Sequence, residues 1–305
     1  LFRSRGEYLA LVNPDTLVDP GVFTTVLDFY AANPDAGAVG MRMFDGSGKY
    51  LPESKRGWPG AWTSFFRLSG LTDRFPNHRT LARYYLGHLP PDQVHQVDVL
   101  AGAFMVFPRK VYETVGGFDE RFFMYAEDID LSFRIKQAGY KNYYLPLPGI
   151  IHFKGESTIR DSTNADQFFE AMILFVHKYY PQKSAWWKFF LESAIKLRSI
   201  FRRPGKNDPT GYPGWQQVNW QVKGNAECTS LLPNPPAGPV LASKDTGILY
   251  VLAPGFGLSE IMRSWEKEGI PKYMLFHGAG TGSIVGSADK NGRGEVIVLQ
   301  NLPLV

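Results

Sequence analysis

Residues Gly116 to Ser157 read GGFDERFFMYAEDIDLSFRIKQAGYKNYYLPLPGIIHFKGES, and this stretch decides the fold. Its centre predicts a helix from about Glu127 to Ala138, stopped at Gly139, and KNYYLPL predicts the strand that follows. Glu127, Asp128 and Asp130 crowd the first four residues of that helix. One acid there is an ordinary cap. Two adjacent acids plus a third exceed what capping needs, and their repulsion must be relieved by a cation, by hydrogen bonds or by solvent. His152 then follows the apolar run GII. Acids at a helix start and a histidine after the next strand can serve a base and a metal. On local sequence alone, capping explains the acids as well as chemistry does.

Upstream, YLALV (Tyr8 to Val12) is a short apolar run of the kind buried on both faces of a parallel sheet. NPDTLVDP makes a turn, and Asp19 caps a helix with Pro20 in its first position, running to about Ala32. AGAVGMRMF (Ala36 to Phe44) is the next strand, ended by the DGSG turn, so the three elements make a βαβ unit. Residues 49 to 96 are irregular and rich in aromatics and arginine, as a lid or insertion would be. VDVLAGAFMVF (Val97 to Phe107) is a strand region, and PRKVYETVG a short helix opened by Pro108.

Downstream, NADQFFEAMILFVHKYY forms a helix capped by Asn164 and stopped by Pro181. SAWWKFFLESAIKLRSIFRR (184 to 203) is amphipathic, and its charges rule out a membrane span. Two placements stand for it: a membrane interface, or a cover over the preceding domain. Residues 204 to 244 hold many of the Pro, Gly and Asn residues and read as a linker. GILYVLA, LSEIMRSWEKEG, KYMLFHG and GEVIVLQ then make a smaller α/β unit. The expected division is 1–182, 183–203, 204–244 and 245–305, with an α/β fold class throughout.

Bulk properties narrow the function. A hydrophobic content of 44% supports a sizeable core, and the net charge of +4 suits phosphate-bearing ligands or an anionic surface without arguing for nucleic acid. Cys228 is the single cysteine, which excludes an intrachain disulfide and fits a reducing cytoplasm. The chain opens on the approach to a buried strand, so residues upstream are expected.

Asn13-Pro14-Asp15 lies directly after the first strand, where open α/β sheets bind ligands. A carboxylate there can hold a hard cation that bridges a diphosphate, although Asn-Pro-Asp is also a good turn. Lys154, Gly155 and Ser157 follow His152 at once, and such a loop could surround a phosphate, while the imidazole could complete a metal's coordination. A histidine between Ile151 and Phe153 is more often a packed residue.

As an ordered set, GEYLALVNPDT, AGAFMVFPRKVYETVGGFDERFFMYAEDIDLSFRIKQAGYKNYYLP and IIHFKGES resemble family-2 glycosyltransferases of the GT-A fold, in the bacterial rhamnosyltransferase-like branch. The likeness covers roughly residues 6 to 160. It implies a GT-A-like mixed sheet flanked by helices, with an earlier nucleotide-binding half that is not in this chain. It implies that Asp15 holds a divalent cation, Mg²⁺ or Mn²⁺, together with His152. Asn13, where many members have an acid, would join Asp15, Lys154 and Ser157 at the donor diphosphate. Asp128 would be the catalytic base. Glu127 and Asp130 would shape the acceptor site or tie down the helix start, and Gly102 and Ala103 would approach donor sugar and acceptor.

The activity so implied is inverting transfer of a sugar from a nucleotide-sugar donor to a glycan or lipid-linked acceptor in cell-surface polysaccharide synthesis. The expected place is the cytoplasm, peripherally on the inner membrane face if residues 184–203 touch it. The competing expectation is a non-catalytic transferase-like module that binds carbohydrate or scaffolds an assembly. The tail resembles the small extension of some Bacteroidetes-type members. Its GAGTGS (Gly278 to Ser283) fits a dinucleotide fingerprint poorly, because SIVGS does not open a helix.

Overall fold

The computed structural model describes residues 4–122, 125–153, 162–183, 189, 219–224, 246–252, 256–271, 273–278, 283–286 and 295–298. Two sheets organise them. The first contains β1 (Tyr8–Val12), β2 (Thr16–Leu17), β3 (Ala36–Phe44), β5 (His95–Val97), β7 (Phe104–Pro108) and β8 (Lys141–His152), in the order β1-β7-β3-β8-β2 with β5 also paired to β8. A separate two-stranded ribbon pairs β4 (Lys55–Arg56) with β6 (Val99–Leu100). The helices are α1 (Pro20–Ala32), α2 (Ala61–Leu68), α3 (Leu71–Arg74), α4 (Arg109–Thr114), α5 (Glu127–Gln137) and α6 (Ser162–Tyr179).

The expected βαβ unit is present with a difference. β7 runs antiparallel to both β1 and β3, so it lies between the two strands of that unit. Among the described residues β1 is therefore a margin of the sheet, with Ala10 and Val12 exposed, rather than a strand covered on both faces. A five-residue apolar run carries no record of which partner it will take.

Helices cover both faces. On one, Val22, Val26 and Tyr30 of α1 pack on Val39, Met41, Met43, Phe104, Val106 and Ile150. On the other, Leu131 and Ile135 of α5 and Val111 and Tyr112 of α4 pack on Leu9, Ala38, Met105, Phe107 and Tyr144. Asp19 caps α1 by accepting from Gly21 N at 2.8 Å, and Gly139 ends α5 with φ of 89°. Both features are legible in sequence. α6 lays Ala171, Met172, Phe175 and Val176 over Val99, Phe122 and Ile129, which fixes the start of α5.

The second sheet has the order β13-β12-β11-β10-β9, from β9 (Asn219–Gly224), β10 (Thr246–Leu252), β11 (Tyr273–Gly278), β12 (Ser283–Gly286) and β13 (Glu295–Val298), with α7 (Leu258–Glu268) between β10 and β11. β9 falls in the stretch expected to be a linker, yet it pairs in parallel with β10. Its alternating NWQVKG was masked by the Pro- and Gly-rich sequence around it. The two sheets share a core: Phe44, Ile151 and Phe153 pack with Tyr250, Leu258, Ile261, Met262, Trp265 and Phe276. Asp19 joins them again, its second oxygen accepting from Leu258 N at 3.0 Å. Most of the expected helix 184–203 and of the loop 204–244 lies outside the described residues. Among the described residues no helix is long and apolar enough to cross a membrane.

Candidate functional site

Three distant segments converge on Ala101-Gly102-Ala103, the break between β6 and β7. Asn13 N donates to Ala103 O at 2.9 Å, Thr16 Oγ1 reaches the same oxygen at 3.5 Å, and Thr16 N closes the turn on Asn13 O at 3.1 Å. One residue earlier, Gly102 N donates to Asp128 Oδ2 at 3.0 Å. β2 meanwhile pairs antiparallel with the end of β8, Thr16 opposite His152, and Phe153 N donates to Asp15 O at 2.8 Å. The result sets Asp15 Oδ1 3.2 Å from His152 Nε2, both side chains largely buried.

The acids sit differently from caps. The residue before α5 is Ala126, which has no side chain to cap with, and both Tyr125 and Ala126 hold left-handed backbone, with φ of 65° and 61°. Two successive non-glycine residues in that region cost on the order of 1–3 kcal/mol each and persist only where surrounding packing imposes them. Here the α6 layer does so: Ala126 and Phe122 are buried in its cluster. The turn carries Glu127 and Asp128 onto the Gly102 side. A Cβ added at Gly102 would lie 3.4 Å from Asp128 Cβ and 3.6 Å from Glu127 Oε1, so both acids line that glycine.

Asp128 is held by one oxygen. Oδ2 takes Gly102 N and the guanidinium of Arg56, and Arg56 Nη2 also donates to Leu100 O at 2.8 Å. Burial works against the charge on Arg56, but Asp128 and Tyr84 together outweigh it and keep the guanidinium pKa above its ordinary value. Arg56 was missed in the sequence, where it is one basic residue in an irregular stretch. Only the pairing of β4 with β6 brings it to an acid 72 residues away.

Glu127 is half-buried beside Asp128, and its buried Oε2 has no hydrogen-bond partner. Burial first, and the neighbouring Asp128 carboxylate second, push its pKa up to about 7. Asp130 leaves this group altogether. It is fully buried, accepts from Arg134 Nε at 2.8 Å, and is also bound by Lys178 Nζ at 2.5 Å and Tyr179 OH at 2.6 Å. Of the two roles expected for it, the contacts support tying down the helix start; they turn it away from an acceptor.

A cation can be tested against the Asp15–His152 pair. Asp15 Oδ1 is buried and accepts no hydrogen bond, which suits a site for a metal ion. One carboxylate and one imidazole make two ligands, and diphosphate oxygens would have to supply others. Among the described residues no group of three or more His, Cys, Asp or Glu could hold a metal. Lys154 and Ser157 lie outside the described residues, as does most of GAGTGS.

The profile of glycosyl transferase family group 2 matches residues 8–187, more than half of the chain. The chain belongs to this family. It is 30% identical over 201 residues to the N-acetylglucosaminyl-diphospho-decaprenol L-rhamnosyltransferase of Mycobacterium tuberculosis, covering 63% of this chain and 62% of that protein. The chain thus spans less than two thirds of that relative's length. It is 38% identical over 68 residues to the rhamnosyltransferase WbbL of Escherichia coli K12, covering 21% of this chain and 26% of that one. Among solved structures, GalNAc-T7 with UDP, GalNAc and Mn²⁺ aligns with a TM-score of 0.37 and 14% identity, covering 64% of this chain and 40% of that one.

Proposed function

We propose that this family-2 chain carries the catalytic floor of an inverting glycosyltransferase that moves a sugar, by the name of its relative a deoxyhexose, from a nucleoside-diphosphate donor to a hydroxyl of a lipid-linked glycan. The observation that carries this is the convergence on Gly102-Ala103: Asp15 and His152 are fastened to one side of that break and Asp128 to the other.

In the reaction, Asp128 removes the acceptor hydroxyl's proton as that oxygen bonds to the anomeric carbon. The bond from that carbon to the diphosphate breaks, and the electron pair leaves with the diphosphate. Arg56 and Gly102 N occupy one Asp128 oxygen and fix the plane of the carboxylate, leaving the other to take the proton. Glu127 holds a proton over part of the neutral range, which spares Asp128 a second negative charge at its side. A divalent cation bound by Asp15 and His152 would supply charge neutralisation for the departing diphosphate.

The test uses a protein extended to the relatives' full length and a panel of nucleotide sugars, with and without Mg²⁺ or Mn²⁺. Asp128→Asn is expected to abolish turnover while sparing donor binding. Retained turnover removes Asp128 from its role, and a full-length protein inert toward every donor would favour the non-catalytic module.

A further inference from the structure

The insertion between β4 and β5 contains helices turned inside out. In α2, Ser64 is buried while Trp62 is 67% exposed. Phe65 and Phe66 stand half-buried beside it, with ring centroids 6.2 and 6.1 Å from that of Trp62. In α3, Thr72 is buried and donates to Leu81 O at 2.8 Å, whereas Phe75 at its end is 46% exposed. An ordinary surface helix turns rings inward and hydroxyls outward. Its far end is anchored by Leu86 and Leu89, which pack on the core, and by polar contacts: Arg67 Nε to Tyr85 OH at 3.0 Å, Lys55 Nζ to Leu86 O at 2.8 Å, and Gly57 N to Tyr84 O at 3.0 Å. The rings are not needed for that attachment, and keeping them in water forgoes the gain of burying them.

The lobe is also cationic. Between Ala61 and Leu89 the sequence has four arginines and two histidines against the single acid Asp73. Arg74, Arg79 and Arg83 are exposed, and the Arg74 guanidinium lies 5.9 Å from the Phe75 ring centroid. Exposed Trp and Phe among arginines match the chemistry of a bilayer interface bearing anionic headgroups. They do not match a second copy of this chain, since a two-fold contact would set the arginines against one another.

We propose that the α2–α3 lobe docks on an anionic phospholipid surface. The lobe is joined tightly to the acids: a Cβ at Gly57 would lie 2.3 Å from Arg83 O, and the preceding residue is Arg56, which binds Asp128. Seating the rings in the interface therefore sets the level of Asp128 relative to the membrane. That last step rests on the lipid-linked acceptor proposed above; the docking itself does not.

The experiment is vesicle co-sedimentation of the 305-residue chain with phosphatidylcholine alone and with phosphatidylglycerol added. Binding is expected to the anionic vesicles and to weaken as salt is raised. Trp62→Ser with Phe75→Ser is expected to lower the partition coefficient about tenfold or more. Arg74→Glu with Arg79→Glu should do the same, at roughly fivefold or more per arginine. All four positions are exposed, so the thermal midpoint should stay in place. Undiminished binding by both double variants overturns the proposal, as does equal binding to neutral and anionic vesicles. So does a parent chain that self-associates through these residues and ignores vesicles. Because the readout needs no turnover, it decides the docking even if the extended protein fails to transfer sugar.

Discussion

Glu127→Gln should make this protein more stable at pH 8 and leave it nearly unchanged at pH 4.5. Glu127 has its pKa pushed from 4.5 up to about 7 by burial and by Asp128. Between those values the folded chain binds a proton that the unfolded chain has released, so stability falls as pH rises through the window and levels off above it. A rise of that size corresponds to about 3–3.5 kcal/mol, at ~1.36 kcal/mol per unit. Glutamine has nothing to ionise, so the variant escapes that loss. The assay is urea unfolding of parent and variant from pH 4.5 to 8.5, taking their difference at each pH so that other titrating groups cancel. The difference should grow by roughly 1 kcal/mol per pH unit between about 5 and 7 and then stay flat. The same comparison made in an Asp128→Asn background should grow less, because the second cause of the shift is gone. A difference that does not change with pH would mean that Glu127 is solvated, and the electrostatic picture of the site would be wrong.

Asp130→Ala should cost about 3–5 kcal/mol, because it leaves Arg134 and Lys178 without their shared buried carboxylate; urea midpoints measure it, and a loss below about 1 kcal/mol would contradict the network. Asp19→Ala removes one acceptor serving two helix starts, α1 through Gly21 N and α7 through Leu258 N. A loss of roughly 1–3 kcal/mol is expected, with faster hydrogen exchange at both amides; faster exchange at Gly21 alone would show that the second sheet does not lean on Asp19.

Much of this architecture was legible because it depends on near neighbours. Asp19-Pro20 opens α1, Gly139 closes α5, and the apolar run 36–44 becomes β3. The acids at 127 and 128 also announced themselves by exceeding what a cap requires. The N-cap position itself falls to Ala126 and not to an acid, for a reason that sequence does not carry: Tyr125 and Ala126 adopt left-handed backbone under the packing of α6.

What only the tertiary structure decided depends on residues far apart. β7 enters between β1 and β3 from about 60 residues further along the chain. Arg56 finds Asp128 only through a two-strand ribbon, and Asp130, beside Asp128 in sequence, faces α6 instead. Helical spacing separates Asp128 and Asp130 by about 200°, so neighbours along the chain look in opposite directions. Local sequence set the elements and where they stop; the direction each side chain faces, and hence its partners, was set when those elements packed.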